Sequence, residues 1–154
     1  MDQSFLKKII DELFNTFLYA GKVSIELREK GLKKEIKDDN TPVTNGDIEV
    51  NNILTNKISQ ITPEILIVSE ESSKNKLNEN LKNFWLIDPI DGTYDYVNNK
   101  DEFTLNAALI IDKKPKLGMI YAPAKKRLFY SYGKGLGFEF TNGKETKLIC
   151  EKKT

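Results

Sequence analysis

A chain of 154 residues, 39% hydrophobic and 31% charged, is long enough for one domain with a real core and has no window approaching a membrane span. Its 24 Lys and Arg nearly cancel 23 Asp and Glu, so charge implies neither a nucleic acid nor a membrane surface as partner. Histidine is absent and Cys150 is the only cysteine, which excludes Ser-His-Asp and Cys-His catalysis, His-ligated zinc and an intramolecular disulfide, and fits a reducing cytoplasm.

From the N-terminus, Phe5, Ile9, Leu13, Phe17 and Ala20 recur at helical spacing and predict an amphipathic helix from Ser4 to about Lys30. Lys7, Lys8, Asp11 and Glu12 interrupt that stretch, unlike a secretory leader. Gly21 weakens the helix locally, as close packing would require, and Gly31 is its stop. Lys33 to Asn40 reads as a loop with a short extended piece. Thr44 is a good N-cap with Asp47 at the capping-box position, and Ile48, Ile53, Ile58 and Ile61 predict a second helix to about Gln60. Capping alone explains Thr44 and Asp47 if nothing else does. Glu64 to Val68 reads as a short strand ending at Ser69-Glu70-Glu71, where two solvated glutamates in a turn are the plain reading. Ser72 to Asn83 is polar and reads as a mobile surface loop with a short helical turn.

Phe84-Trp85-Leu86-Ile87 reads as a buried strand that stops at Asp88. Asp88-Pro89-Ile90-Asp91-Gly92-Thr93 then crowds two carboxylates, a proline, a glycine and a hydroxyl into six residues. Pro89 biases Asp88 towards an extended conformation, and the following turn can swing Asp91 back beside it. Two carboxylates and the Ile90 carbonyl are all-oxygen ligands, suited to Mg²⁺ rather than Zn²⁺. Gly92 permits close approach of a ligand, and Gly92 and Thr93 open a helical turn whose N–H groups attract phosphate. A plain β-turn would use some of the same residues.

From Phe103 the pattern is β. Phe103–Ile111 is expected to pair with Lys116–Ala122 across Asp112-Lys-Lys-Pro115. Arg127–Tyr132 pairs with Leu136–Thr141 across Gly133-Lys-Gly135. A turn at Asn142-Gly143 precedes a last strand, Lys147–Cys150. Two helices followed by an antiparallel meander, with no internal repeat, indicate an α+β fold.

The ten residues Phe84–Thr93 resemble the signature of the Mg²⁺-dependent, lithium-sensitive phosphatases of the inositol monophosphatase superfamily. Lys37-Asp38-x-x-Thr41-Pro42-Val43-Thr44-x-x-Asp47 is similar to that family's first motif, and Ser69-Glu70-Glu71 to its second. The resemblance implies the first half of an αβ layered sandwich of the inositol monophosphatase/fructose-1,6-bisphosphatase type. It also implies a site of two or three Mg²⁺ ions, with Mn²⁺ a substitute and Li⁺ and Ca²⁺ inhibitory. Glu70, Asp88 and the Ile90 carbonyl would bind the first ion, and Asp88 and Asp91 a second. Glu70 and Thr93 would orient and deprotonate water, with Asp47 acting nearby through water and Lys37 and Thr44 beside the cluster. The N–H groups of Gly92 and Thr93 would hold the phosphate.

Four stretches, Thr41–Thr44, Ser69–Glu71, Glu102-Phe103-Thr104-Leu105-Asn106 and Pro115-x-x-Gly118-x-x-Tyr121-Ala122-Pro123, resemble the bacterial CysQ-type 3′(2′),5′-bisphosphate nucleotidases. The implied substrate is a phosphorylated nucleotide, 3′-phosphoadenosine 5′-phosphate, hydrolysed to AMP. A phosphatase of inositol or sugar phosphates and a non-catalytic remnant are the alternatives. The family's later Trp-Asp motif has no counterpart, because Trp85 is the only tryptophan. Residues 1–154 therefore resemble the N-terminal domain alone, which is expected to self-associate or to need a complementing C-terminal half.

Overall fold

The computed structural model describes residues 1–71 and 78–152. Helix α1 (Gln3–Lys30) begins where the Phe5 N–H donates to the Asp2 carboxylate at 2.9 Å and ends at Gly31, whose φ is +94°. Leu6, Ile9, Ile10, Leu13, Phe17 and Ala20 form its buried face. Phe5, expected in that stripe, is 39% exposed: the 3.6-residue period puts Leu6 rather than Phe5 beside Ile9, Ile10 and Leu13. Gly21 is a close-packing point, since a Cβ there would lie 2.2 Å from the Tyr121 ring.

Strand β1 (Lys34–Ile36) is the short extended piece of the expected loop, and it pairs antiparallel with β2 (Pro42–Thr44) just beyond that loop in a two-stranded ribbon. Helix α2 (Asn45–Ile61) follows at once. Its inner face is Val50, Leu54 and Ile58, while Ile48, expected inside, is exposed. The first turn is given over to the cap, so the apolar face starts at Val50.

The remaining elements build one seven-stranded sheet in sequential order: β3 (Leu66–Ser69), β4 (Phe84–Asp91), β5 (Thr104–Ile111), β6 (Lys114–Ala122), β7 (Arg127–Ser131), β8 (Gly137–Thr141) and β9 (Lys144–Lys147). Only β3 and β4 are parallel among these pairings. A short helix, α3 (Thr93–Val97), separates β4 from β5. The two long helices cover one sheet face through Trp85, Ile87, Leu105, Leu109, Met119 and Leu128, all buried. Burying each such large side chain contributes about 1.5–3 kcal/mol. The indole N–H of Trp85 donates to the Thr62 hydroxyl at 2.9 Å, so its polar edge is satisfied at the end of α2.

Three expectations need correction. β4 does not stop at Asp88 but runs to Asp91, through a register shift between Asp88 (opposite Asn106) and Asp91 (opposite Thr104). Pro89, which cannot donate to a ladder, sits within the bulge instead of ending the strand. The third strand begins at Leu66, not Glu64, because a turn closed by the Ile65 N–H to the Thr62 carbonyl comes first. The last strand is Lys144–Lys147 rather than Lys147–Cys150. Asn142 and Gly143 both have positive φ and complete a two-residue turn, so pairing resumes immediately at Lys144. Half of the expected polar loop, residues 72–77, lies outside the described residues.

Candidate active site

The candidate residues collect where the parallel pair β3–β4 ends and α2 and α3 begin. Ser69 closes β3, and its buried hydroxyl makes a short hydrogen bond to the Asn51 side-chain oxygen on α2. The Glu71 N–H donates back to the Ser69 hydroxyl at 3.4 Å, and the Glu70 N–H to the Ile87 carbonyl at 3.2 Å. These bonds fix the Glu70-Glu71 turn against β4. The Glu71 carboxylate is nearly buried and pairs with Lys37 at 3.3 Å. Burial raises the Glu71 pKa and outweighs the Lys37 charge. For Lys37, burial lowers the pKa, but Glu71 more than offsets it and the net shift is upward.

Asp88 is the most perturbed carboxyl. Desolvation first, then a hydrogen-bonding Glu70 carboxyl and the charges of Glu70, Asp91 and Glu71, push its pKa up to about 7. Its Oδ1 is buried and has no hydrogen-bond partner. Such an orphaned acceptor beside other carboxylates is a place where a cation would supply what the protein does not. Among the described residues, no three acidic, histidine or cysteine side chains are gathered into one cation cage. The geometry is a contacting pair, Glu70 and Asp88, with Asp91 acting through its charge.

Gly92 follows the bulge with φ +83° and ψ 43°, the left-handed region, and a Cβ there would meet the Glu102 carbonyl at 2.7 Å. Only glycine fits, for both reasons. Thr93 then begins α3, whose Tyr96 is buried and donates to the Ser24 carbonyl on α1 at 2.6 Å. That anchor brings Thr93 to α2. Its hydroxyl stands 3.3 Å from both Asp47 Oδ1 and the Ile90 carbonyl, and has one proton to give to either.

Asp47, 1% exposed, is held by the Thr44 N–H at 2.9 Å and the Thr44 hydroxyl at 2.5 Å, both donating to Oδ2. The Asp47 N–H donates to the same hydroxyl at 3.2 Å, completing a capping box. Thr44 is therefore spent on Asp47. Glu70 and Asp91 lie close enough to Asp88 for their charges to act on it, while Thr93 links Asp47 and the Ile90 carbonyl through its hydroxyl. The charge of Asp47 also reaches Glu71. Glu71, Asn51 and Tyr96 were missed from sequence. Only the Ser-Glu-Glu run and the aromatic Tyr94-Asp95-Tyr96 hinted at two of them.

These motifs on this fold define a class. The model of the inositol monophosphatase family matches residues 6–153, and the chain belongs to that family. Within it, the chain is 39% identical over 120 residues to the 3′(2′),5′-bisphosphate nucleotidase CysQ of Buchnera aphidicola, covering 76% of this chain and 45% of that protein. It is 38% identical over 130 residues to CysQ of Escherichia coli O157:H7, covering 82% and 52%. The chain thus spans about half the length of the curated relatives it matches. Among solved structures, an IMPase/NADP phosphatase complexed with NADP and Ca²⁺ superposes with a TM-score of 0.75 at 25% identity over 90% of this chain and 52% of that one. A Thermotoga maritima IMPase gives 0.73 at 26% identity, over 89% and 52%.

Proposed function

We propose that this chain is the metal-binding half of a Mg²⁺-dependent phosphomonoesterase of the 3′(2′),5′-bisphosphate nucleotidase type, releasing phosphate from 3′-phosphoadenosine 5′-phosphate. The observation that carries the reading is the Glu70–Asp88 contact with its orphaned Asp88 Oδ1. Membership of the family and the CysQ relatives support the substrate class. The donor set is all oxygen, which fits Mg²⁺ or Mn²⁺. Glu70, Asp88, Asp91 and the Ile90 carbonyl are the groups that would hold it. When bound, the cation supplies a Lewis acid for the phosphoryl group and a lowered pKa for water.

The chain's own residues do the rest. Glu70 is an exposed carboxylate one residue past β3, and its assigned role is to accept a proton from the attacking water. When Thr93 donates to Asp47, its lone pairs are left to orient that water. Asp47 cannot turn away, because two bonds from Thr44 hold its other oxygen. The backbone N–H groups of Gly92 and Thr93 are assigned to the substrate phosphate, since Gly92 offers no side chain to block its approach.

A substrate panel tests the reading, with phosphate release measured for 3′-phosphoadenosine 5′-phosphate, inositol 1-phosphate and sugar phosphates. The chain alone should turn over the nucleotide slowly. A second-half polypeptide from a relative should raise that rate, in a manner requiring Mg²⁺ and abolished by Asp91→Asn. Losing one electrostatic element at such a site costs about a hundred- to thousand-fold. Preference for inositol 1-phosphate would move the substrate to the other branch. No release in the complemented mixture would leave a non-catalytic remnant.

A further inference from the structure

A depression of about 620 Å³ opens between α1 and the turns that follow β6 and β8. Leu18, Ile25 and Phe140 give it an apolar lining, and Tyr121 and Lys126 a polar one. None of the residues assigned above to the metal or to catalysis lines it.

Tyr121 is the informative residue. Gly21 lets α1 press against it: a Cβ at Gly21 would lie 2.2 Å from the Tyr121 ring and 2.9 Å from the Pro123 side chain. The residue is 8% exposed, and its hydroxyl makes no hydrogen bond among the described residues. Burial alone raises its pKa, with no charge or hydrogen bond acting on it. Buried tyrosine hydroxyls usually find a partner. Two others in this chain do, since Tyr96 donates to the Ser24 carbonyl and Tyr130 to the Glu145 carboxylate. A phenylalanine at position 121 would fill the same space without the cost of desolvating a hydroxyl. The Tyr121 hydroxyl is thus a donor for which the chain supplies no acceptor.

Lys126 is the second donor. It pairs with no carboxylate among the described residues. Its backbone is tied on both sides, the N–H donating to the Pro123 carbonyl at 3.2 Å and the carbonyl accepting from the Thr141 hydroxyl at 3.0 Å. The turn that carries the ammonium is therefore fixed beside the depression.

We propose that this depression binds a small aromatic carboxylate, with its flat ring against Leu18, Ile25 and Phe140 and its oxygens accepting from the Tyr121 hydroxyl and the Lys126 ammonium. One negative charge with two acceptor atoms matches one hydroxyl and one unpaired cation. A phosphate dianion fits less well, because Glu26 also lines the depression and would repel the second charge. The volume lies within the range of small-molecule sites.

Amide NMR of residues 1–154 titrated with 2-naphthoate tests the proposal, and needs neither metal nor turnover, so it stands apart from the phosphatase reading. Shifts should gather in α1 around Gly21 and at the turns holding Lys126 and Asn142. Tyr121→Phe and Lys126→Gln should each weaken binding about tenfold or more, the scale of a lost hydrogen bond to a charged group. Neutral 2-naphthamide should bind more weakly by a similar factor. Without ligand, Tyr121→Phe should leave the melting temperature unchanged or raise it, because the hydroxyl has no partner to lose. A lowered melting temperature would give that hydroxyl a structural role and overturn the proposal. So would equal affinity in the parent and both variants, shifts confined to the sheet face around Leu86 and Ile120, or no shifts at millimolar 2-naphthoate.

Discussion

At Asp88 two costs coincide: a carboxyl is taken out of water, and a second carboxyl is held against it. The folded-state pKa, about 7, lies above the ordinary 3.8. Between those values the folded state binds more protons than the unfolded one, so the contribution is fully present below about pH 4 and is lost as pH rises towards 7. Without metal, stability attributable to this group should therefore fall across that window. The slope is at most about 1.4 kcal/mol per pH unit, reduced by partial solvation. Denaturant unfolding at pH 5 and pH 8 should show it, and Asp88→Asn should flatten it; an unchanged slope would remove Asp88 as its source. Gly92 has the opposite sensitivity. Gly92→Ala must place a Cβ against the Glu102 carbonyl at a left-handed φ and should destabilise by about 1–3 kcal/mol at any pH in a thermal melt. A neutral result would mean the turn rearranges. The acids and Gly92 were readable from Asp88-Pro89-Ile90-Asp91-Gly92-Thr93 because their chemistry is local. The Lys37–Glu71 pair and the Ser69–Asn51 bond were not, since they join residues 34 and 18 positions apart.

Among the elements, the helices followed from period and caps, and the hairpins from Asn-Gly and related turns. What the sequence pattern hid was continuity. Pro89 reads as a stop, yet β4 passes through it as a bulge because β5 pairs with it on both sides. The parallel partnership of β3 with β4 is equally invisible, since it depends on which strand lies next to which and not on alternation. The N-terminus of α2 is the element on which the site hangs. Thr44→Ala would remove the cap and one of the two bonds to the buried Asp47 Oδ2. A cost of about 1–3 kcal/mol is expected, with rescue by Thr44→Ser. Chemical denaturation checks it; equal loss in the serine variant would point to the methyl group's packing and not to the hydrogen bonds.

For the molecule as a whole, the layered α+β arrangement could be anticipated from helices preceding strands, but the apolar depression on the sheet face opposite the helices could not. The β pattern read from Phe103 onward did not say that Leu86, Ile120 and Leu148 would share one open surface, which is set by the registers of β4 through β8 and by the Leu148 N–H bond to the Gly137 carbonyl. The same registers place Asp88 beside that surface, and the parallel pairing sets Ser69, the end of β3, opposite Ile87 on β4. A site made from β3, β4 and α2 exists only in the folded chain, and binding of a hard cation there reports on fold and chemistry together. Calorimetric titration of residues 1–154 with Mn²⁺ or Mg²⁺ is the most direct test. Weak binding is expected, with a proton released as Asp88 ionises, and Asp88→Asn should weaken it about tenfold or more. Equal binding by the parent and Asp88→Asn, or none by a folded parent at millimolar cation, would contradict the assignment of Glu70, Asp88 and Asp91 as a metal site.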